Sequence, residues 1–124
     1  MMQVENNTTN TSEILYNNEY ICLGSKHKGQ YILKYNILFV EAYENYAWLY
    51  LNDNTKQLSS KPIGYYEELL ASDGFTRIHR SYLINISHLK LYERKYRLVH
   101  LRGAITLPVS HRKTHTFSKY LQSA

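Results

Sequence analysis

A chain of 124 residues suits one domain with a real core and is too short for two. Cys22 is the only cysteine, and no apolar run approaches the roughly 18 residues of a membrane span. An internal disulfide, a multi-cysteine zinc site and a spanning helix are thereby excluded, and a reducing cytoplasm is the expected setting. The net charge of +5 is unevenly spread: residues 1–76 hold five lysines against nine carboxylates, whereas 77–124 hold ten Lys and Arg against Glu93 alone. Five of the six histidines also lie in that basic half, which points to a polyanion partner there.

Residues 1–19, rich in Asn, Thr, Ser and Glu, read as a flexible polar leader or linker. They lack the basic-then-apolar order of a secretory signal. The folded domain is expected over 20–124. YICLG (20–24) and QYILKY (30–35) read as strands around the turn SKHKG, with Gly29 available for positive φ. ILFVEA (37–42) is a buried strand, Glu44-Asn45 break it, and YAWLYL (46–51) resumes. Asn52-Asp53-Asn54 then turns into KQLSS.

A helix follows, with Ser59 or Ser60 as its cap, Pro62 in its first turn and Ile63, Tyr66, Leu69 and Leu70 on one stripe. Asp73-Gly74 ends it, the glycine supplying a left-handed cap. After FTRIHR (75–80), SYLINI (81–86) alternates as a strand. LKLYERKYRLVHLRGAITLPV gives two or three more strands, turning around Glu93–Lys95 and Arg102-Gly103. A last short helix starts after Ser110, with Phe117, Tyr120 and Leu121 as its packing stripe. The class is mainly β with one or two short helices. Thirteen tyrosines against three phenylalanines suit half-buried strands and wet interfaces.

Catalytic patterns are sparse. A metal nuclease needs clustered carboxylates, and the basic half has only Glu93. The five glycines stand singly at turns, so no phosphate-binding glycine loop exists, and nothing in the pattern asks for a cofactor or a metal. His79, His88, His100, His111 and His115 leave one enzymatic alternative, a metal-independent ribonuclease using His79 and His111 as acid and base. The surrounding Lys and Arg repel a cation, which argues against zinc on these imidazoles.

Duplex binding uses what is present. Arg80 can offer its planar fork to guanine O6 and N7, with Arg77 and His79 beside it on phosphates or base edges. A turn between Arg77 and Ser81 would let several of these reach one groove. In LPVSHRKTH, Ser110 can cap a helix whose first turn holds His111, Arg112 and Lys113, placing an anion site at the positive helix end. A β-rich module docking an acidic protein partner is the remaining alternative.

These residues resemble a known family. FTRIHRSYLIN at 75–85, LPVSHRK at 107–113 and the upstream ILFVEAYENYAWLYL resemble the LytTR family of bacterial DNA-binding domains, from about Tyr31 to Leu121. The resemblance implies small stacked antiparallel sheets and no enzymatic activity. It implies an output domain of two-component response regulators, binding promoter direct repeats through loops in successive major grooves. By that resemblance Glu44, Asn45 and Tyr46 form one contacting loop, Arg77, His79, Arg80 and Ser81 the second, and His111 and Arg112 the third, with Lys113 alongside. Asn85 matches a structural asparagine. Nineteen polar residues cannot hold a receiver domain, so the chain is expected to be either a stand-alone regulator or the end of a longer one. Its partners would be double-stranded DNA, a second copy on the DNA and, for a fragment, a receiver or sensor-kinase system.

Overall fold

A computed structural model of the protein describes residues 19–24 and 28–123, which fall into two compact units divided between Asn36 and Ile37. The expected polar leader, apart from Glu19, and the turn residues Ser25, Lys26 and His27 lie outside the described residues.

In the first unit β1 (Tyr20–Gly24) and β2 (Gly29–Leu33) form an antiparallel hairpin, Tyr20 opposite Leu33 and Gly24 opposite Gly29. Ile21 and Leu23 are buried while Cys22 between them is exposed, the period of two that a strand imposes. Among the described residues of this hairpin the left-handed one is Gly24 (φ 97°) rather than Gly29. A Cβ there would stand 2.9 Å from the Lys28 carbonyl oxygen, so the position favours glycine twice over. The strand expected to run through Tyr35 ends at Leu33. Lys34–Asn36 instead forms a 3-10 turn, Asn36 being a turn former next to the following strand.

The second unit is built on a five-stranded antiparallel sheet in the order β5-β4-β3-β7-β6. Its strands are β3 (Ile37–Tyr43), β4 (Tyr46–Leu51), β5 (Lys56–Ser59), β6 (Phe75–His79) and β7 (Tyr82–Asn85). β3 is central, with Phe39 opposite Tyr50 and Ile84, and Val40 opposite Leu49 and Leu83. These two rows face opposite sides of the sheet, and both sides are covered, which is why Ile37-Leu38-Phe39-Val40 is buried without alternation.

On one side lies α1 (Ile63–Leu69), packed against β3, β6 and β7 through the buried Ile63 and Tyr66. Two expectations for this helix need correction. Ser59 ends β5 and does not cap the helix: its Oγ accepts from the Lys61 N–H at 3.1 Å and pairs with the Tyr66 hydroxyl, while Pro62 takes the N-cap position. Leu69 is exposed, because the helix ends there and only Leu70, just beyond it, turns inward. Gly74 (φ 80°) closes the segment in the left-handed conformation, after a 3-10 turn at Ala71–Asp73.

The other side holds the main core. Leu38, Phe39, Ile78 and Ile84 of the large sheet meet Val99, Leu101, Leu107 and Val109 from the C-terminal segment. That segment forms a three-stranded sheet of β8 (Leu89–Glu93), β9 (Leu98–Leu101) and β10 (Ile105–Pro108), in the order β10-β9-β8. α2 (Thr114–Ser123) closes the core with Phe117, whose ring meets Tyr92 edge-on at 4.9 Å. Each such side chain contributes about 1.5–3 kcal/mol by leaving water. Leu121 packs on the cluster, but Tyr120, expected on the same stripe, is exposed. Mainly β in three small antiparallel sheets with two short helices is therefore the observed class, as the sequence led one to expect.

Among the described residues four tyrosines, Tyr20, Tyr50, Tyr82 and Tyr92, take half-buried positions. Tyr50 stacks on Phe39 with ring centroids 4.3 Å apart and donates its hydroxyl to Glu41 Oε1 at 2.8 Å. Burial, and then the bond to the Glu41 carboxylate, push its phenol from 10.0 up to about 12. Asn85 is buried and does local structural work: its Nδ2 donates to the Ile37 carbonyl at 3.0 Å, and its Oδ1 accepts from the Ser87 N–H and caps the 3-10 turn at Ile86–His88.

Candidate nucleic-acid interface

β6 runs through FTRIH as a strand, so the expected loop shrinks to a two-residue turn, Arg80-Ser81, between His79 and its partner Tyr82. The pairing register shifts between Arg77 and His79, leaving Ile78 as a bulge that drops fully into the core. Simple alternation would have set Arg80 on Ile78's side. The bulge followed at once by the turn instead leaves Arg80 exposed at the hairpin tip.

Arg77 is heavily engaged. Its Nη1 lies 2.5 Å from Glu67 Oε1 on α1, its Nε donates to the His79 carbonyl at 2.8 Å, and its Nη2 donates to the Arg80 carbonyl at 2.5 Å. His79 adds a local pin, Nδ1 accepting from the Ser81 N–H at 3.0 Å, with its ring 5.4 Å from that of Tyr82. The two-residue turn is thus held from inside by one guanidinium and one imidazole.

The second basic cluster is tied to this hairpin by backbone. The Ser110 N–H donates to the Ile78 carbonyl at 2.8 Å, which brings the start of the last helical segment to the bulge. Ser110 acts as an N-cap, as expected, with its Oγ accepting from the Lys113 N–H at 3.2 Å, though the first turn it caps, His111–Lys113, is 3-10 and α-helix begins at Thr114. His111 and Arg112 are exposed and Lys113 is half-buried.

The two clusters face each other across a cleft of about 620 Å³ lined by Glu67, Arg77, His79, Arg80, Ser110, Arg112 and Lys113. Among the described residues Arg80, Arg112 and Lys113 have no acidic partner, and the one carboxylate in the cleft is bound to Arg77. The cleft therefore presents cationic groups that no neighbour neutralises. Glu67 is the residue that sequence reasoning missed. It sits on a helix ten positions before Arg77, and only the packing of α1 over β6 makes them neighbours.

The third element emerges from the same end of the sheet. Ala42 N–H donates to the Ser81 carbonyl at 2.9 Å and Glu41 pairs with Tyr82, so the Glu44-Asn45 turn and the Arg80-Ser81 turn are neighbours at one edge. Glu44 adopts φ 55°, unusual for a residue with a side chain, and Tyr43 and Tyr46 stand opposite one another at the turn's base, each about half exposed (48% and 45%).

The histidines separate. His79 lines the cleft; His111 is exposed at the helix tip and is not among the lining residues. His88 is buried, while His100 is bonded to Glu93 Oε1 through Nε2 at 2.5 Å and to Thr106 Oγ1 through Nδ1 at 3.0 Å. Among the described residues no three His, Cys, Asp or Glu side chains group as metal ligands, and no helix is long and apolar enough to cross a membrane.

Comparison with known proteins gives the family and the fold. The family model described as the LytTr DNA-binding domain matches residues 27–122. A solved structure of the LytTr DNA-binding domain of a methyl-accepting/DNA response regulator from Bacillus cereus superposes with a TM-score of 0.71 at 22% identity, covering 83% of this chain and 96% of that one. No curated protein matches significantly.

Proposed function

The chain belongs to the LytTR family of DNA-binding domains, and from that membership we propose that it binds promoter DNA sequence-specifically as the output domain of a bacterial transcription regulator. The observation that carries this reading is the cleft in which Arg80, Arg112 and Lys113 converge without acidic partners. A duplex supplies what that cleft lacks: phosphates for the cations, and base edges for a planar guanidinium held at a hairpin tip.

The roles divide by geometry. Arg80 stands at the tip of a braced turn and reads a base edge, with His79 and Ser81 beside it. Arg112 reads or grips from the adjoining helix tip, with His111 next to it. Lys113, whose own N–H is tied to Ser110, adds a point charge for a phosphate. Glu44, Asn45 and Tyr46 offer a second groove contact from the neighbouring turn, where Asn45 suits adenine and Tyr46 suits a sugar or phosphate. Arg77, bonded to Glu67 and to two carbonyls, sets the shape of the reading turn. Tandem contacts of this kind fit direct repeats occupied by two copies, in the cytoplasm, under the control of a receiver or sensor kinase.

Selection of bound sites from a random duplex pool tests the proposal. Recovery of a repeated motif, with scrambled duplexes bound more weakly at rising salt, is the expected result. Binding without sequence preference would reduce the reading to a basic module for acidic partners. Turnover of RNA in the presence of chelator would instead favour the His79 and His111 ribonuclease.

A further inference from the structure

We propose that the β8–β9 turn, Arg94-Lys95-Tyr96-Arg97, is a further DNA-contacting element that grips the phosphate backbone beside the groove served by Arg112; this rests on the DNA-binding reading above. All four residues are exposed, and three of them are cationic. Among the described residues none of those three cations has an acidic partner. The nearest carboxylate in sequence, Glu93, is turned away from them onto His100 Nε2 at 2.5 Å. That pairing leaves the turn with no counter-charge of its own.

Position makes the turn part of the interface rather than a solvated bend. The Arg97 carbonyl accepts from the Val109 N–H at 2.8 Å, and the next residue, Ser110, bonds to Ile78 and caps the turn that carries Arg112. The chain thus links the basic turn, the helix tip and the Arg80 hairpin in a row through consecutive backbone contacts. A major groove is only about 12 Å wide between its phosphate ridges, so an element adjoining the groove reader comes over a ridge. Backbone contacts need charge and hydrogen-bond donors but no fixed geometry, which an exposed turn of Arg, Lys and Tyr supplies. The Lys95 ammonium lies 5.5 Å from the centroid of the Tyr96 ring, a cation–π contact between two neighbouring residues of the turn.

The test combines Arg94→Gln, Lys95→Gln and Arg97→Gln in the full chain, with unfolding by circular dichroism as a check on folding. Binding is measured on a selected duplex and on random duplex over a range of salt. The expected result is a salt slope lower by about 2–3 units, at about 0.9 per phosphate contact. Affinity should fall by the same factor on both duplexes, with base preference unchanged. Lys56→Gln serves as control, since Lys56 pairs with Tyr50, away from the end of the sheet that carries the Glu44-Asn45 turn; its slope should match that of the unaltered protein. An unchanged slope in the triple variant, while the unaltered protein binds DNA, overturns the role of the turn alone. A changed base preference would make the turn a reader rather than a backbone grip and also overturns the inference. Failure of the unaltered protein to bind any duplex removes the DNA reading itself.

Discussion

Arg77 Nη1 lies 2.5 Å from Glu67 Oε1, joining the helix on one face of the large sheet to the hairpin that carries Arg80. The rest of the same guanidinium holds the carbonyls of His79 and Arg80. A planar fork with donors on three nitrogens can make these contacts together, and an ammonium cannot. The pair is only partly exposed, Arg77 less so than Glu67. Its importance here is that it fixes which way the fork points.

Arg77→Lys should therefore keep the charge and lose the brace. Cognate affinity is expected to fall about tenfold, close to the loss of one charge-assisted hydrogen bond. The salt slope should stay constant, because the number of phosphates neutralised does not change. Titrations on cognate duplex at several salt concentrations separate the two quantities. A lower slope at constant base preference would make Arg77 a phosphate contact instead.

Arg80→Ala should cost about 1–3 kcal/mol on the selected site and relax preference at one base position. The loss on random duplex should be much smaller. The turn's backbone is held by Arg77 and His79, so the substitution should leave the hairpin standing and report on recognition. Equal losses on selected and random DNA would rule out base reading by this side chain.

The contrast between Arg77 and Arg80 shows where the sequence was readable. The run FTRIHRSYLIN displayed the concentration of donors, and ILFV displayed a strand buried on both faces, because composition and run length record those properties directly. Ser110 was legible as a cap because capping is local and follows residue type. What stayed hidden depended on distant contacts or on a one-residue irregularity. The bulge at Ile78 reversed the alternation that would have predicted Arg80's direction. Glu67 became part of the site only through helix-on-sheet packing; Leu69 left its expected stripe where its helix ended, and Tyr120 is exposed although Phe117 and Leu121 of the same helix pack on the core.

Lys113→Ala probes the other side of the cleft. The residue supplies a point charge from a turn whose backbone is already capped by Ser110, so removing the side chain should not unwind the tip. Binding is expected to weaken by a similar factor on every sequence, with the salt slope lower by about one unit. Competition between selected and random duplex should show an unaltered specificity ratio. A change in that ratio would assign Lys113 to a base edge.

Tyr50→Phe tests the tyrosine framework through pH. The Tyr50 phenol is raised from 10.0 to about 12, by burial first and by the Glu41 carboxylate second. The folded protein then holds this proton more tightly than the unfolded chain does. The resulting stabilisation is complete below about pH 10, declines as pH rises from there through 12, and is gone above. Tyr66 is shifted upward too, mainly by burial, and leaves some alkaline sensitivity in the variant. At pH 8 Tyr50→Phe should cost about 0.5–1.5 kcal/mol through the lost bond to Glu41. Between pH 8 and pH 11 the variant's urea midpoint should fall less than that of the unaltered protein. Parallel falls in the two proteins would show that the Tyr50 proton is not linked to folding.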